Sequence, residues 1–258
     1  MDSTVLLEVH DRVATVTLSR PDSYNALTLE VARELLSAAL RCEADREIRA
    51  VVLTGAGKHF CFGGDLRAMR EQGDAAPGYL NELTTYLHAA ISAFTRMRAT
   101  VIAAINGTAA GAGVGLVCAA DLALCARGSR FSLAYTGVGL APDGSVSFLL
   151  PRIVGRRRAM ELLLLNRVLS AEEALAWGLV NQVLDDAELV TQSQALAAKL
   201  AAGPTEAFGA TKRLMDASSP GLESQMALEG RTIAAMSSHP HGREGIAAFI
   251  EKRQASYP

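Results

Sequence analysis

The chain has 258 residues, of which half are apolar and a fifth are charged. That length and composition allow one large domain with a buried core and exclude a globally disordered chain. Lysine and arginine total 25 against 27 for aspartate and glutamate, so the chain lacks the basic surplus that nucleic-acid-binding proteins normally have. We therefore expect no nucleic-acid partner.

The cysteines show no pattern of a metal site. The sequence has no CxxC pair and no histidine at ligand spacing from a cysteine, and the four residues are Cys42, Cys61, Cys118 and Cys125. No basic-then-apolar leader opens the sequence. We predict no metal and no redox cofactor, and a reduced, cytoplasmic location.

The uncharged segment 101–120 is about as long as a membrane span. It contains Asn106 and several glycines, and alanine supplies much of the rest, so its hydrophobicity is low for a membrane helix. Asn106-Gly107 is also typical of a turn. A buried strand followed by a buried helix fits better, and we expect no membrane segment.

The first two thirds of the chain alternate strand and helix patterns, with glycine turns between them. That order predicts a layered α/β fold. Thr28 is a suitable N-cap for the first helix, whose apolar residues recur at helical spacing. The predicted elements are, in chain order, a hairpin of strands 5–9 and 13–19, a helix after Thr28, strand 50–54, helix 79–97, strand 101–105, a helix from about Gly111, strand 122–125 and helix 156–165.

The last third is predicted to be helical. Residues 170–173 form a capping-box pattern that opens the helix carrying Trp177. From residue 187 onward the helical pattern is interrupted only near Pro204, Pro220 and Pro240. A tail of this kind is too thin to enclose its own core. It must pack on the main domain or on another subunit, and we expect an oligomer.

Two glycine-rich turns follow buried strands, at residues 60–66 and 106–113. Small residues there let main-chain N–H groups face a cleft without a side chain in the way, and a helix that follows adds a favourable dipole. Two such donors about 3 Å from a thioester oxygen would form an oxyanion hole. One glycine turn alone more often only permits close packing, and neither turn matches GxGxxG or GxxxxGKS/T.

Five motifs, in order, resemble the enoyl-CoA hydratase/isomerase (crotonase) superfamily over essentially the whole chain. They are Leu18-Ser19-Arg20-Pro21 with Asn25-Ala26-Leu27, the run 52–57 with Phe60-Cys61-Phe62-Gly63-Gly64-Asp65-Leu66, Ala104-Ile105-Asn106-Gly107 with Gly111-Ala112-Gly113, Ala171-Glu172-Glu173-Ala174 with Trp177-Gly178-Leu179-Val180, and the closing run 244–253.

The resemblance implies a fold and an assembly. The fold is α/β, with a crotonase-type core of stacked ββα units over residues 1–195 that binds coenzyme A and carries the catalytic site. Residues 196–258 would form a C-terminal helical trimerisation region, in a homotrimer or a dimer of trimers. Coenzyme A would enter as part of an acyl-CoA substrate rather than as a separate cofactor.

The same resemblance implies the site residues. The oxyanion donors would be the N–H groups of Gly64 and Ala112. Members of the family usually have glycine at the second place, and alanine can replace it if its φ is negative. The coenzyme A path would be lined by Ala26, Leu27, Phe62 and Leu66. Phe249 and Lys252 would reach the nucleotide end, from this subunit or from a neighbour.

The acidic residues indicate which reaction the site performs. Hydration of an enoyl thioester uses two carboxylates, and the resemblance places them at Gly115 and Tyr135, where this chain has none. Asp143, in Ala141-Pro142-Asp143-Gly144, instead matches the acid of some family isomerases, including the Δ3-Δ2-enoyl-CoA isomerases and the epoxide isomerase of phenylacetyl-CoA catabolism. Taken alone, Pro-Asp-Gly is a common turn.

We therefore predict double-bond or ring isomerisation of an acyl-CoA, with Asp143 as the acid and base. An apolar pocket beside Val138, Leu140 and Phe148 would make its carboxylate a stronger base.

Two alternatives remain. The chain is also similar to the 4-chlorobenzoyl-CoA dehalogenases, in which Asp143 would be the nucleophile and His88 would activate water. Against that reading, Tyr135 stands where those enzymes have tryptophan and Gly64 where they have phenylalanine, and a lone histidine on a helix is usually a surface or packing residue. The second alternative is a relative that binds acyl-CoA without catalysis.

Overall fold

The computed structural model describes residues 3–217 and 221–257. The strands are β1 Val5–His10, β2 Val13–Leu18, β3 Ala50–Gly55, β4 Thr100–Ile105, β5 Ala109–Ala110, β6 Leu122–Ala126, β7 Arg130–Ser132, β8 Leu169–Ser170 and β9 Gln182–Leu184. The helices are α1 Leu29–Ala44, α2 Leu66–Glu71, α3 Ala76–Arg96, α4 Ala112–Ala119, α5 Val146–Val154, α6 Arg156–Leu165, α7 Ala171–Ala176, α8 Leu189–Ala201, α9 Thr205–Asp216, α10 Leu222–Ser238 and α11 Pro240–Glu251.

A six-stranded sheet in the order β1-β2-β3-β4-β6-β9 forms the frame of the fold. The predicted β1–β2 hairpin is confirmed; it turns at Asp11 and Arg12, which both have positive φ, as a two-residue hairpin turn of the favoured hand requires. The other neighbours in this sheet pair in parallel. All six residues of β4 are buried, which is typical of a parallel strand covered on both faces.

Helices cover both faces of this sheet. On one face, Val51 and Leu53 of β3 share a core with the buried sides of α1 and α3. On the other, Val52 packs with α8 through Leu189 and Ala197. Alternate residues of β3 therefore pack into two different hydrophobic cores, because successive side chains of a strand point to opposite faces of the sheet. The predicted layered α/β architecture is confirmed.

A second sheet of three short strands, β5-β7-β8, lies where the two glycine turns meet. Its strands have two or three residues each, and an isolated bridge joins Cys61 to Ala109 beside it. The small sheet therefore fixes the turn after β4 against the turn after β3.

Most predicted helix boundaries are confirmed. Thr28 accepts a hydrogen bond from the Val31 N–H and caps α1. Ser170 and Glu173 form the reciprocal capping box of α7, although that helix ends just before Trp177. Pro151 lies inside α5, and the helix ends soon after it.

The C-terminal residues that the structure describes are mainly helical, as predicted; the interruption expected near Pro220 lies outside the described residues. The helix α9 packs against α3 and β4, and α10 and α11 pack on α9 and on each other. The expected domain boundary at residues 195–196 falls within α8, which packs on the sheet. The division and its role in trimerisation stay predictions. Within the described ranges, no helix is long and apolar enough to span a bilayer.

Candidate active site

The turn after β3 aims the N–H of Gly64 away from its neighbouring strand. Leu27 donates to the Gly63 carbonyl at 2.7 Å and accepts from the Asp65 N–H at 3.0 Å, so it pairs with the residues on either side of Gly64. In a parallel bridge of this kind the middle residue turns its own N–H to the other side. Gly63 has a φ of +78°, which glycine adopts without strain.

Polar side chains brace this turn. Arg20 donates through Nη1 to the Ala26 carbonyl at 2.7 Å and to Oδ2 of Asp65 at 3.2 Å. Asp65 also caps α2 through Oδ1. Asn25 is buried with a positive φ, and its amide donates to main-chain oxygens beyond β3, including that of His59. These motif residues therefore position Gly64 through the backbone.

The second predicted donor, Ala112, is the first residue of α4, where an N–H has no partner within the helix. The preceding Gly111 has a φ of +50°, whereas Ala112 is absent from the residues of positive φ, as the sequence analysis required. A Cβ placed on Gly63 would lie 3.1 Å from the Ala112 nitrogen and 2.8 Å from the Ala110 carbonyl oxygen. The two glycine turns are thus in direct contact.

Asp143 and His88 are in direct contact. Nε2 of His88 lies 2.7 Å from Oδ1 of Asp143, although 55 residues separate them in the sequence. His88 projects from α3, and Asp143 lies in the loop before α5. A carboxylate and an imidazole at this distance can share or exchange a proton.

The loop that carries Asp143 packs directly on α4. A Cβ on Gly115 would lie 2.0 Å from the Gly144 carbonyl oxygen, so position 115 has no room for a side chain. A Cβ on Gly144, whose φ is +63°, would lie 3.1 Å from the Cβ of Ala112. The Asp143 loop therefore borders the Ala112 end of α4.

Tyr135 supports the same loop through a hydrogen bond to its main chain. Its hydroxyl donates to the main-chain oxygen of Asp143 at 2.9 Å. Burial, with the nearby Asp143 carboxylate, raises the pKa of Tyr135 above its usual value, so the phenol stays protonated and remains a donor. The resemblance had marked position 135 as lacking a hydratase carboxylate and as the place of a dehalogenase tryptophan, and no local pattern indicated this contact.

The expected apolar enclosure of Asp143 is wrong for this chain. Its side chain is 34% exposed, and Val138, Leu140 and Phe148 are themselves exposed because the loop and α5 lie at the surface. Asp143 lines a cavity of about 310 Å³ with His88 and with residues of α3 and α5.

Three of the four residues predicted to line the coenzyme A path have accessible side chains. Ala26 is half-buried, and Phe62 and Leu66 are exposed on either side of Gly64. Phe62 also packs on the exposed ring of Tyr24, with centroids 5.0 Å apart. Leu27 differs, because its side chain is 0% exposed and lies in the core, so only its main chain faces the Gly64 turn.

Phe249 and Lys252 lie at the C-terminal end of α11. Phe249 is 85% exposed, and Lys252 is an exposed C-cap with a φ of +54°. Among the described residues, no hydrogen bond or ion pair links either side chain to the turn at residues 60–66.

The cysteines and acidic residues that the structure describes form no cluster suited to a metal ion. In the part of the chain that the structure describes, no group of three or more histidine, cysteine, aspartate or glutamate side chains could hold a metal ion. Cys61, in the first glycine turn, is buried, and burial raises the pKa of its thiol to about 12. It is therefore protonated and a poor nucleophile at neutral pH.

The order of these elements matches known proteins along the whole chain. The sequence profile of the enoyl-CoA hydratase/isomerase family matches residues 8–258. The chain belongs to this family. The crystal structure of an enoyl-CoA hydratase from Polaromonas sp. JS666 matches with a TM-score of 0.94 at 35% identity, over 98% of this chain and 99% of that one. The predicted crotonase-type fold is confirmed.

Relatives within the enoyl-CoA hydratase/isomerase family differ in their named reactions. The chain is 40% identical to 4-chlorobenzoyl coenzyme A dehalogenase-2 of Arthrobacter sp, over 99% of this chain and 93% of that protein. It is 36% identical to 1,2-epoxyphenylacetyl-CoA isomerase of Escherichia coli, over 98% of this chain and 97% of that protein. The comparisons therefore establish the family, and the choice between these reactions depends on the residues of the site.

Proposed function

We propose that the protein isomerises an acyl-CoA thioester, by moving a double bond or opening a strained ring, with Asp143 as the acid and base. The observation that carries the proposal is the position of Asp143 beside the Ala112 end of α4, through the contact of Gly144 with Ala112. Asp143 is also the only acid among the described residues that line its cavity.

The chemistry needs only one carboxylate. The thioester oxygen accepts hydrogen bonds from the N–H groups of Gly64 and Ala112, which stabilise the enolate. Asp143 removes a proton from the acyl carbon chain; the C–H electrons enter the enolate and the carboxyl O–H forms. The same carboxyl then returns the proton to a different carbon, so the double bond shifts with no net gain or loss of atoms.

Hydration is the weaker proposal because neither implied glutamate position can supply an acid. Gly115 is closed by the Gly144 carbonyl, and Tyr135 uses its hydroxyl on the Asp143 main chain. Both positions instead support the loop that holds Asp143. A site built this way concentrates its acid–base chemistry on one carboxylate.

A second candidate, hydrolytic dehalogenation of an aryl-CoA, is favoured by the contact between His88 and Asp143. Asp143 would attack the ring carbon that bears the halogen, forming an aryl ester and releasing halide. Water would then attack the ester carbonyl while His88 takes its proton, regenerating Asp143 and giving a hydroxyaryl-CoA. The Asp143 cavity has no aromatic side chain among its described lining residues to hold an aryl ring, so we rank this reaction second.

Turnover of 3-enoyl-CoA and of 4-chlorobenzoyl-CoA by the same enzyme separates the two reactions. We expect a double-bond shift with the first substrate and no halide release from the second. Asp143→Asn should lower turnover by about 10²–10⁴-fold while retaining acyl-CoA binding. Asp11→Asn, in the β1–β2 turn where asparagine fits equally well, is the matched control and should have wild-type activity.

His88→Gln adds a second discrimination. Isomerisation should fall by less than about tenfold, because Asp143 carries the proton by itself. If the His88→Gln variant instead released one equivalent of halide from 4-chlorobenzoyl-CoA and then stopped as an aryl ester of Asp143, dehalogenation would be established and the isomerase proposal overturned. Binding without turnover of any acyl-CoA would identify a non-catalytic relative.

A further inference from the structure

A larger cavity between α3, α5 and α9 adjoins the Asp143 cavity. Its volume is about 570 Å³, and it shares Ile91, Ser92 and Ser145 with the smaller one. An acyl group whose reacting carbons lie at Asp143 can therefore extend into this larger space. We call it the distal cavity.

The distal cavity runs along two helices. On α3 its lining begins at Ile91 and ends at Arg96, and along α5 it runs from the N-cap Ser145 to Arg152. At about 1.5 Å of rise per residue, Arg96 lies about 12 Å along the axis from His88. The far end is therefore about two helical turns from the reacting carboxylate.

The middle and the far end of the distal cavity differ in chemistry. Ile91, Phe148 and Leu149 supply apolar surface in the middle. The far end is basic: three arginines and one acid line it, namely Arg96, Arg152, Arg213 and Asp216. An apolar passage that ends in guanidinium groups suits a chain with an anionic end.

These guanidinium groups are available to a ligand. Among the described residues, no side-chain hydrogen bond or ion pair involves Arg96 or Arg213. Arg152 donates to the Phe148 carbonyl at 2.6 Å and lies over the Phe148 ring, which orients it without neutralising its charge. All three arginines are exposed, so a carboxylate could bind there without the desolvation cost of a buried pair.

We propose that the acyl group of the substrate carries a carboxylate at its distal end, so that the protein acts on ω-carboxyacyl-CoA thioesters. The proposal rests on the proposed function for its reacting end and adds the recognition of the other end. Arg96, Arg152 and Arg213 bind the distal carboxylate, since a guanidinium matches a carboxylate with two parallel hydrogen bonds. Asp216 opposes this binding.

Binding of unreactive, saturated thioesters tests this specificity without using the reaction. Octanoyl-CoA and suberyl-CoA, its ω-carboxylated counterpart, are titrated into the enzyme by calorimetry at low and high salt. We expect suberyl-CoA to bind at least about tenfold more tightly, a difference of about 1.4 kcal/mol, and the preference to shrink at high salt. A preference for octanoyl-CoA, or none at low salt, overturns the proposal.

Substitution of the arginines at the far end should weaken suberyl-CoA binding, whereas substitution of the acid there should strengthen it. Arg152→Gln and Arg213→Gln should each weaken suberyl-CoA binding by about three- to tenfold and leave octanoyl-CoA unchanged. Asp216→Asn should strengthen suberyl-CoA binding. Arg157→Gln, on α6 and outside the distal cavity, is the control and should change neither affinity. Equal weakening of both thioesters would show that the arginines bind the phosphates of coenzyme A, which also overturns the proposal. Because binding is measured, the result stands whether or not the reaction is isomerisation.

Discussion

The main-chain N–H of Ala112 can be removed without loss of a helical hydrogen bond, because Ala112 is the first residue of α4. Proline is well tolerated at that position, where its missing N–H has no helical partner. Ala112→Pro should therefore lower turnover by about 10²–10³-fold through loss of one oxyanion donor. Single-turnover kinetics with a 3-enoyl-CoA measure the effect on the chemical step.

The control for this substitution is Ala112→Gly, which retains the N–H and should stay within a few-fold of wild type. Both variants should unfold near the wild-type temperature. If the proline variant is folded and still turns over at the wild-type rate, the thioester oxygen is not held at Ala112.

Among individual residues, the sequence identified the reactive groups more easily than the contacts that position them. Asp143 and His88 were both placed by resemblance, yet their contact depends on how α3 and the loop before α5 come together. No local sequence pattern predicts the hydrogen bond from the Tyr135 hydroxyl to the main-chain oxygen of Asp143. Contacts between residues distant in sequence require the packed structure.

At the scale of elements, the ion pair of Lys212 with Asp121 helps to fasten α9 to the core. Nζ of Lys212 lies 2.7 Å from Oδ2 of Asp121 and donates to the carbonyls of Ala99, at 2.9 Å, and Phe94. Asp121 also accepts from the Val101 N–H at 2.8 Å. Because α9 also carries Arg213, this pair helps to position one end of the distal cavity.

Lys212→Met should lower the free energy of unfolding by about 2–4 kcal/mol, since it leaves a largely buried carboxylate without its cation. Burial, opposed by Lys212, raises the pKa of Asp121 in the folded protein. Without Lys212 that pKa rises further, so the folded state holds its proton more tightly than the unfolded state. The loss should be greatest at neutral pH and diminish as pH falls toward the unfolded-state value near 4.

Urea unfolding of this variant at several pH values measures both effects, with Lys199→Met on the exposed side of α8 as the control. A loss independent of pH would mean that Lys212 acts through packing rather than through the charge of Asp121.

Helix ends were predictable because their determinants are local, as the caps at Thr28 and Ser170 illustrate. The strands β5, β7 and β8 were not, because two or three residues carry no periodicity and pair only across distant turns. The course of α5 through Pro151 was also missed, since tertiary packing there outweighs the local cost of proline.

At the scale of the whole molecule, apolar surface remains uncovered on the last two helices. No described residue of α10 is buried, and its Met226 and Ile233 are exposed. On α11, Ile246, Phe249 and Ile250 are exposed as well. A monomer rarely exposes so much apolar surface on adjacent elements, which agrees with the predicted homotrimer or dimer of trimers.

Light scattering of the purified chain should give three or six times the mass of one chain. Ile233→Asp should shift the mass toward the monomer, because a charge at the centre of α10 would have to be desolvated in the assembly. Val190→Asp, a similarly exposed position on α8, is the control and should not change the mass. If Phe249 and Lys252 act across the interface, dissociation should also weaken acyl-CoA binding. A monomeric wild type at micromolar concentration would contradict the assembly and would place both residues outside the site.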